Sequence, residues 1–438
     1  MSLRFYVETL GCPKNQVDSD KLVGTLLADG LAPTEHVGDA DLVVVNTCAF
    51  IDAARQESID TVLALDEQRR AGSRLVVTGC LAERYGNELA AALPEVDHVA
   101  GFGVKLWAQS APESEPGDGR KLIPVSSTAI PTLDLLNLPR PRSSSPWAYV
   151  KIAEGCDRSC GFCAIPSFRG PQRSRAVDSI LAEVDALAAK EIVLVAQDLA
   201  SYGKDRSRHT ADGVSTIVPL VRAIVARVER VRLLYLYPSD LSDALIDVVC
   251  DSGVPYFDLS LQHVSKPLLR RMRRWGDGDR FLRRIEDIRR RQPEAAFRSN
   301  FIVGYPGETE ADHDHLLAFV EAAQLDWCGF FAYSREDGTY ADGLDGQVPA
   351  TLMGERLAEL TELQDAITAA RRDELIGRTL DVLVDAPGVA RSHREAPEID
   401  GIVHVGHDLA VGEIVPVEIV GALGPDLVAA GASTDETE

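Results

Sequence analysis

The stretch KIAEGCDRSCGFCAIPSFRG (151–170) places Cys156, Cys160 and Cys163 in a Cys-x3-Cys-x2-Cys spacing directly after a predicted strand. Three thiolates with no close fourth Cys or His leave a zinc ion one ligand short, whereas an iron–sulfur cluster can keep one iron free for a substrate. A zinc knob and three unrelated buried thiols are the structural alternatives. The spacing favours an iron–sulfur site in a loop after the first strand of a central domain.

The residues beyond this loop alternate short β-branched runs with helical periods, which is the pattern of consecutive parallel βα units. Six strands are predicted after residue 147, at 148–154, 191–197, 231–237, 256–262, 297–304 and 325–334. A long amphipathic segment follows at 351–376. Six such units predict a central, open (βα)6 partial barrel over 147–376.

The first hundred residues show the same alternation. The predicted elements are strands at 3–10, 41–46, 74–79 and 97–101 and helices at 15–29, 51–70 and 81–92. This order predicts an N-terminal α/β domain over 1–106 that contains a doubly wound parallel sheet.

The composition changes on both sides of the central domain. Residues 107–146 are rich in Pro, Ser and Gly and predict a linker with one short strand near 122–125. Beyond 377, short strands alternate with Gly, Pro and Asp turns. This pattern predicts a small C-terminal antiparallel β-barrel within 377–438, with a disordered tail at 431–438.

The overall composition excludes several classes of protein. The 438 residues carry 45 Lys and Arg against 68 Asp and Glu, a net charge of −23, which argues against a surface built throughout to bind nucleic acid or anionic membrane. Apolar residues at 45% and charged residues at 26% exclude wholesale disorder and a coiled coil. We expect a cytoplasmic protein with no membrane segment, in which eight cysteines indicate metal or redox chemistry.

A second set of cysteines follows three strands of the N-terminal sheet. Cys12, Cys48 and Cys80 each come directly after a predicted strand. Because the carboxyl ends of parallel strands lie along one edge, the three thiols can converge there, and Gly11 and Gly79 would allow close backbone approach. Each cysteine alone would more often be a small buried hydrophobe. Together they predict a second iron–sulfur site.

The first triad matches the signature of the radical S-adenosylmethionine (radical SAM) superfamily, which the sequence resembles. That resemblance implies a 4Fe-4S cluster on Cys156, Cys160 and Cys163 that binds S-adenosylmethionine (SAM) through its unique iron. It also implies that Phe162, between the last two cysteines, lies near the adenine of SAM.

Nearly the whole chain resembles the methylthiotransferase family, whose C-terminal barrel is a TRAM domain. The matching stretches are GCPKNQVDSD (11–20), NTCAFIDAARQES (46–58), TGCLAERY (78–85), AQD and YG within 196–203, DLSLQHVS (258–265), RSNFIVGYPGET (298–309) and YSREDGTYA (333–341). Pro13-Lys14 and the stretch 49–58 resemble the branch that modifies a ribosomal protein. The tRNA-modifying branch usually has Gln-Met where Pro13 and Lys14 stand.

This second resemblance implies the cofactors and the reaction. It implies two 4Fe-4S clusters, one on each cysteine triad, together with SAM, and it makes Gln197 and Arg298 expected cofactor contacts. The implied reaction transfers a methyl group to sulfur and converts an unactivated C–H bond to a C–S bond by radical chemistry. A radical is needed because a methylene C–H beside a carboxylate is too weakly acidic for an ordinary general base.

Three hypotheses about the function follow from these observations. The first is methylthiolation of the β-carbon of an aspartate in ribosomal protein S-twelve, and the second is the same chemistry on a tRNA adenosine. The third, from another class, is a non-catalytic iron–sulfur or RNA-binding module. The expected partners are a basic protein of the small ribosomal subunit, free or assembled, and a reducing electron donor.

Charge favours the protein substrate over tRNA. Residues 376–438 hold three basic and twelve acidic residues, 3 − 12 = −9, and no lysine, whereas an RNA-binding barrel would need cations. We expect these acids, Glu395, Glu398 and Asp400 among them, to steer a basic protein. Ten arginines stand in the stretch Arg270–Arg291. They form either a solvated helix face or a functional surface, which would be a contact with ribosomal RNA or a rim for the SAM carboxylate and the substrate.

Overall fold

The computed structural model describes residues 2–107, 134–207 and 217–432. The predicted short strand near 122–125, much of the predicted linker and residues 433–438 of the predicted tail lie outside the described residues. None of the described helices combines the length and the apolar character needed to cross a membrane.

The N-terminal domain is a five-stranded parallel sheet with the strand order β2-β1-β3-β4-β5. Its elements are β1 (Arg4–Thr9), α1 (Pro13–Ala28), β2 (Ala32–Pro33), β3 (Leu42–Thr47), α2 (Asp52–Gln68), β4 (Arg74–Gly79), α3 (Cys80–Ala92) and β5 (His98–Val99). In β3, Val43 and Val45 pack towards α2 and α3, while Leu42 and Val44 pack towards α1. Helices therefore cover both faces, as the doubly wound prediction requires.

The central domain is an open parallel barrel of six principal strands. Its elements are β6 (Trp147–Lys151), β7 (Ala153–Glu154), α4 (Ile165–Arg169), β8 (Arg173–Ser174), α5 (Val177–Leu187), β9 (Glu191–Val195), α6 (Lys204–Ser207), α7 (Ile217–Val225), β10 (Arg230–Leu233), α8 (Asp243–Cys250), β11 (Tyr256–Gln262), α9 (Lys266–Arg271), α10 (Gly278–Arg291), β12 (Ala296–Val303), α11 (Glu310–Ala323), β13 (Trp327–Ala332) and α12 (Ala350–Asp373). Two sheets, β6-β9-β10 and β11-β12-β13, are joined by the pairing of Leu236 with Leu259.

Side chains of the central strands alternate between an outer and an inner cluster. Ala148 and Val150 of β6 pack outward with the helices, whereas Tyr149 packs inward with Val193, Tyr256 and residues of the other strands. This period of two is the pleat of a β-strand. The short antiparallel pair β7-β8 closes the base of the loop that carries Cys156.

The C-terminal domain is a closed five-stranded barrel with the order β14-β15-β16-β18-β17. Its strands are β14 (Thr379–Ala386), β15 (Val389–Arg391), β16 (Val403–His404), β17 (Ile414–Leu423) and β18 (Asp426–Ala429). The predicted fold class of all three domains is confirmed. The pairing of β16 with β18 is parallel, which the sequence pattern did not indicate.

Residues 391–400, here called the docking segment, leave the C-terminal barrel and contact the inside of the central barrel. Arg391 pairs with Glu191 at 3.1 Å, and Ala396 packs in the inner cluster with Trp327. Trp327 Nε1 donates to the carbonyl of Arg394 at 2.7 Å, and the Tyr149 hydroxyl donates to that of Pro397 at 2.9 Å. The segment thus joins the two domains through buried polar contacts.

The structure corrects the expectation that Glu395 and Asp400 are steering charges on the surface. The Glu395 side chain is fully buried against Arg372, and the Asp400 side chain is fully buried against Arg298. Of the three acids, only Glu398 is exposed. Glu395 and Asp400 instead help to dock the C-terminal barrel onto the central domain, because each carboxylate is compensated by an arginine of that domain.

A substitution of Glu191 tests this docking. Burial opposes ionisation of Glu191, but the charges of Arg391, Arg232 and Arg230 outweigh it and lower the pKa of the carboxyl to about 2. Glu191→Gln leaves buried guanidinium groups uncompensated and should cost about 3–5 kcal/mol, measured by urea unfolding at pH 7. The deficit should shrink as pH falls from about 4.5 towards 2, because wild type loses the carboxylate there.

The control is Glu229→Gln, which breaks an exposed pair with Lys190 and should leave the urea midpoint near that of wild type. Equal midpoints for the two variants at pH 7 would contradict a docking role for Glu191.

Candidate functional site at the boundary of two domains

Cys12, Cys48 and Cys80 lie at one edge of the N-terminal sheet. The strand register pairs Thr9 with Asn46 and Asn46 with Thr78, so the three turns that follow stand side by side. Cys48 and Cys80 are buried, and Cys12 is half-buried. None of the eight cysteines, all of which are described, forms a disulfide.

Two glycines allow the turns to approach. Gly11 has φ +92°, and a Cβ there would stand 2.9 Å from Cys48 Sγ. Gly79 has φ +93°, and a Cβ there would stand 2.3 Å from Asn46 Oδ1. Any other side chain would collide with the neighbouring turn, which matches the expectation from the sequence.

Asn15 links all three turns, and sequence reasoning did not single it out. Its Nδ2 donates to the carbonyls of Leu10 at 2.9 Å and Thr47 at 3.1 Å, which precede the first two cysteines. Its Oδ1 lies 3.7 Å from Cys80 Sγ. Asn15 is fully buried on α1. In the sequence, the one sign of its role is an amide side chain three residues after Cys12, within the stretch GCPKNQ.

The three thiols differ in acidity. Burial raises the pKa of Cys48 to about 11 and also raises that of Cys80. Burial acts in the same direction on Cys12, but the charge of Lys14 and backbone N–H donors outweigh it and lower the pKa of that thiol. The thiolate that a metal requires is therefore favoured first at Cys12.

Cys156, Cys160 and Cys163 lie in the loop between β7 and α4, which backbone contacts hold in place. The Cys156 N–H donates to the Gly170 carbonyl at 3.1 Å, and the Gly161 N–H donates to the Met272 carbonyl at 2.8 Å. Burial raises the pKa of Cys156 to about 11 and that of Cys163 to about 12. All three cysteines are half-buried.

One arginine of the Arg270–Arg291 cluster reaches this loop. Arg274 Nη1 donates to Cys160 Sγ at 3.2 Å, and its guanidinium stacks on Tyr237. Most of the other arginines contact protein groups, such as Arg284 with Asp243 and Arg291 with Asp247. The cluster is mainly a solvated helix face, with one member that serves the cysteine loop.

Each triad supplies three free thiols, which is the donor set of a cysteine-ligated iron–sulfur cluster. Across the described ranges, no group of three or more His, Cys, Asp or Glu side chains has the geometry to hold one metal ion. In a 4Fe-4S cluster each thiolate binds a different iron, so the three sulfur atoms need not converge on one point. The three free thiols of each triad can therefore each bind one iron of a four-iron cluster.

The expected cofactor contacts lie in different surroundings. Phe162 is partly buried against the central core. Gln197 Nε2 donates to Glu154 Oε1 at 2.7 Å, and its buried Oε1 has no hydrogen-bond partner among the described residues. Arg298 lies inside the barrel and is paired with Asp400 of the docking segment.

Ion pairs dock the N-terminal domain onto the central domain at two places. Glu336, which is almost fully buried, accepts from Arg55 and from Arg84. Lys151 Nζ lies 2.7 Å from Asp18 of α1. The second contact lies beside both cysteine loops. Asp18 also forms an ion pair with Arg169 of α4, the helix that follows Cys163, and Arg169 in turn donates to Cys80.

Asn15→Ala should destabilise the N-terminal domain. An unpaired buried carbonyl costs about 1–3 kcal/mol, so the thermal midpoint of the metal-free chain should fall below that of wild type. The matched control is Gln16→Ala, because the Gln16 side-chain amide donates to Asp20 on the same helix and does not link the turns. Equal midpoints for the two variants would show that Asn15 does not hold the turns together.

Family models match each of the three domains. Three family models match in order: the uncharacterized protein family UPF0004 over residues 4–101, the radical SAM superfamily over 150–320 and the TRAM domain over 376–431. Among solved structures, the radical SAM methyltransferase TsrM from Kitasatospora setae aligns with a TM-score of 0.48 and 15% identity, covering 94% of this chain and 84% of that chain.

Several curated relatives are similar over nearly their full length. The chain is 40% identical to the ribosomal protein uS12 methylthiotransferase RimO of Kineococcus radiotolerans, covering 96% of both chains. It is 41% identical to the protein of the same name from an Anaeromyxobacter species, covering 98% of this chain and 93% of that one. At this identity and coverage, the chain belongs to the RimO family of radical SAM methylthiotransferases.

Proposed function

We propose that this enzyme places a methylthio group on the β-carbon of an aspartate in ribosomal protein uS12. The observation that carries the proposal is a contact across the domain boundary: α4, the helix that follows Cys163 of the central triad, ends in Arg169, which donates to Cys80 of the other triad. The relatives at 40–41% identity are named for this modification.

The six cysteines have separate roles in this proposal. Cys156, Cys160 and Cys163 hold the cluster that binds SAM, and Cys12, Cys48 and Cys80 hold the second cluster. When bound, SAM and the two 4Fe-4S clusters of this family supply the methyl group and the radical that an unactivated C–H bond requires.

The chain's other residues orient and shield these groups. Phe162 lies between two cysteines and supplies an apolar surface for the adenine. Within the part of the chain that the structure describes, the buried side-chain oxygen of Gln197 lacks a hydrogen-bond partner, and a donor group of the ligand can satisfy it. Arg298 holds Asp400, and with it the docking segment, because its guanidinium is already paired with that carboxylate.

Two exposed aromatic side chains mark the surface that meets the substrate. Phe50 follows Cys48, and Phe331 lies near the end of β13; they are 46% and 47% exposed. The loop after Phe50 contacts the loop after β13, since the Asp52 N–H donates to Ser334 Oγ. Large apolar side chains left exposed beside a reaction centre suit a peptide segment.

The remaining partners follow from the substrate. A basic ribosomal protein is attracted by the chain's net charge of −23, while Arg270, Arg273 and Arg283 are exposed and available to ribosomal RNA. The reaction also needs a reducing electron donor, and we place the enzyme in the cytoplasm, where ribosomes are made.

Alanine substitution of each triad should separate the two clusters. Anaerobic reconstitution of wild type should give about eight iron atoms per chain, as expected for two four-iron clusters. Replacing Cys156, Cys160 and Cys163 should leave about four and abolish cleavage of SAM, whereas replacing Cys12, Cys48 and Cys80 should leave cleavage intact and stop methylthio product. Cys250→Ala is the control. Cleavage of SAM by the first variant would overturn the assignment.

Mass spectrometry with two substrates tests the proposed function directly. The purified enzyme, incubated with SAM, a sulfur source and a reductant, should add a methylthio group to an aspartate of uS12. The same mixture should leave tRNA unmodified. Modification of tRNA with uS12 untouched would reject the proposal in favour of the tRNA-modifying alternative, and no product on either would favour a non-catalytic module.

A further inference from the structure

Arg169 is a buried arginine between the two cysteine triads that neither the resemblance nor the comparisons assign. It ends α4 in the central domain, shortly after Cys163, and its side chain is 3% exposed. Its Nη2 donates to Cys80 Sγ at 3.0 Å and to Asn15 Oδ1 at 2.9 Å. An arginine of one domain therefore touches a candidate ligand of the other.

The two ends of the guanidinium have different partners. Nη1 donates to Asp18 Oδ2 at 3.0 Å and to both Glu154 oxygens at 3.1 Å. Nη2 contacts no carboxylate among the described residues and faces only the amide of Asn15 and the sulfur of Cys80. One end thus docks the domains, and the other is directed at the cysteine.

The carboxylates that pair directly with Arg169 and Lys151 already balance the charges of these two cations, with no contribution from Cys80. Arg169 and Lys151 provide two positive charges, and Asp18 and Glu154 provide two negative charges, so the set sums to 2 − 2 = 0. Phe102 covers the guanidinium plane at 4.0 Å, which fixes its orientation. The bond to Cys80 is therefore additional to what docking alone requires.

We propose that Arg169 is a positioning residue that donates an N–H···S hydrogen bond to the cluster on Cys12, Cys48 and Cys80 and thereby raises its reduction potential. This inference rests on the proposed function of that triad. Hydrogen bonds to cluster sulfur and nearby positive charge favour the reduced, more negative state. The donor comes from the central domain, so a residue of that domain tunes a cluster held by the N-terminal domain.

The test measures the midpoint potential of this cluster by an EPR-monitored redox titration of the full chain. Cys156, Cys160 and Cys163 are replaced by Ala in every sample, so that only the cluster in question gives a signal. Arg169→Gln should shift the potential to more negative values, because both the charge and the charged donor are lost. Arg169→Lys should shift it less, because the ammonium keeps the charge without the planar fork.

Arg55→Gln is the matched control. Arg55 joins the same two domains through Glu336 and contacts no cysteine, so the potential should not move. An unchanged potential in Arg169→Gln, or an equal shift in Arg55→Gln, would overturn the inference. If the Arg169→Gln variant does not bind the cluster, the Arg169→Lys variant is measured instead, and an unshifted potential in that variant would also overturn the inference.

These outcomes distinguish failure of the inference from failure of the proposed function. If the chain with Arg169 unchanged gives no cluster signal, the ligand assignment of Cys12, Cys48 and Cys80 is wrong and the inference falls with it. If the signal is present but its potential ignores Arg169, only the inference is wrong.

Discussion

A buried set of two cations and two carboxylates, Arg169 and Lys151 with Asp18 and Glu154, holds the N-terminal domain against the central one beside both cysteine loops. Charges this deeply buried are tolerated only when each has a partner, so removing one member leaves the others uncompensated. Electrostatics therefore makes the relative position of the two loops specific.

The same contacts connect the candidate SAM site to the N-terminal triad. Glu154 accepts from Gln197 at 2.7 Å and from Arg169, and Arg169 donates to Cys80. An expected cofactor contact is thus three hydrogen-bonded steps from a cysteine of the other domain. At the opposite side of the central barrel, Glu191 and Arg391 tie in the C-terminal barrel by the same means, so each outer domain is docked by buried ion pairs.

Much of the fold could be predicted because its signals are local. The Val and Leu runs of β3 and β4 and the period of the helices determine the elements, and the parallel order places Cys12, Cys48 and Cys80 at one edge. The partners of Arg169 and Asp400 could not be predicted, since a charge in a sequence does not show which distant residue compensates it. For that reason the prediction from the sequence that Glu395 and Asp400 are surface charges is wrong.

The most direct test is an anaerobic crystal structure of the reconstituted chain, with iron located by its anomalous scattering. We expect two four-iron clusters, one on each cysteine triad, on either side of the boundary that Arg169 bridges. Iron on only one triad, or two clusters that open onto separate faces of the protein, would contradict this expectation.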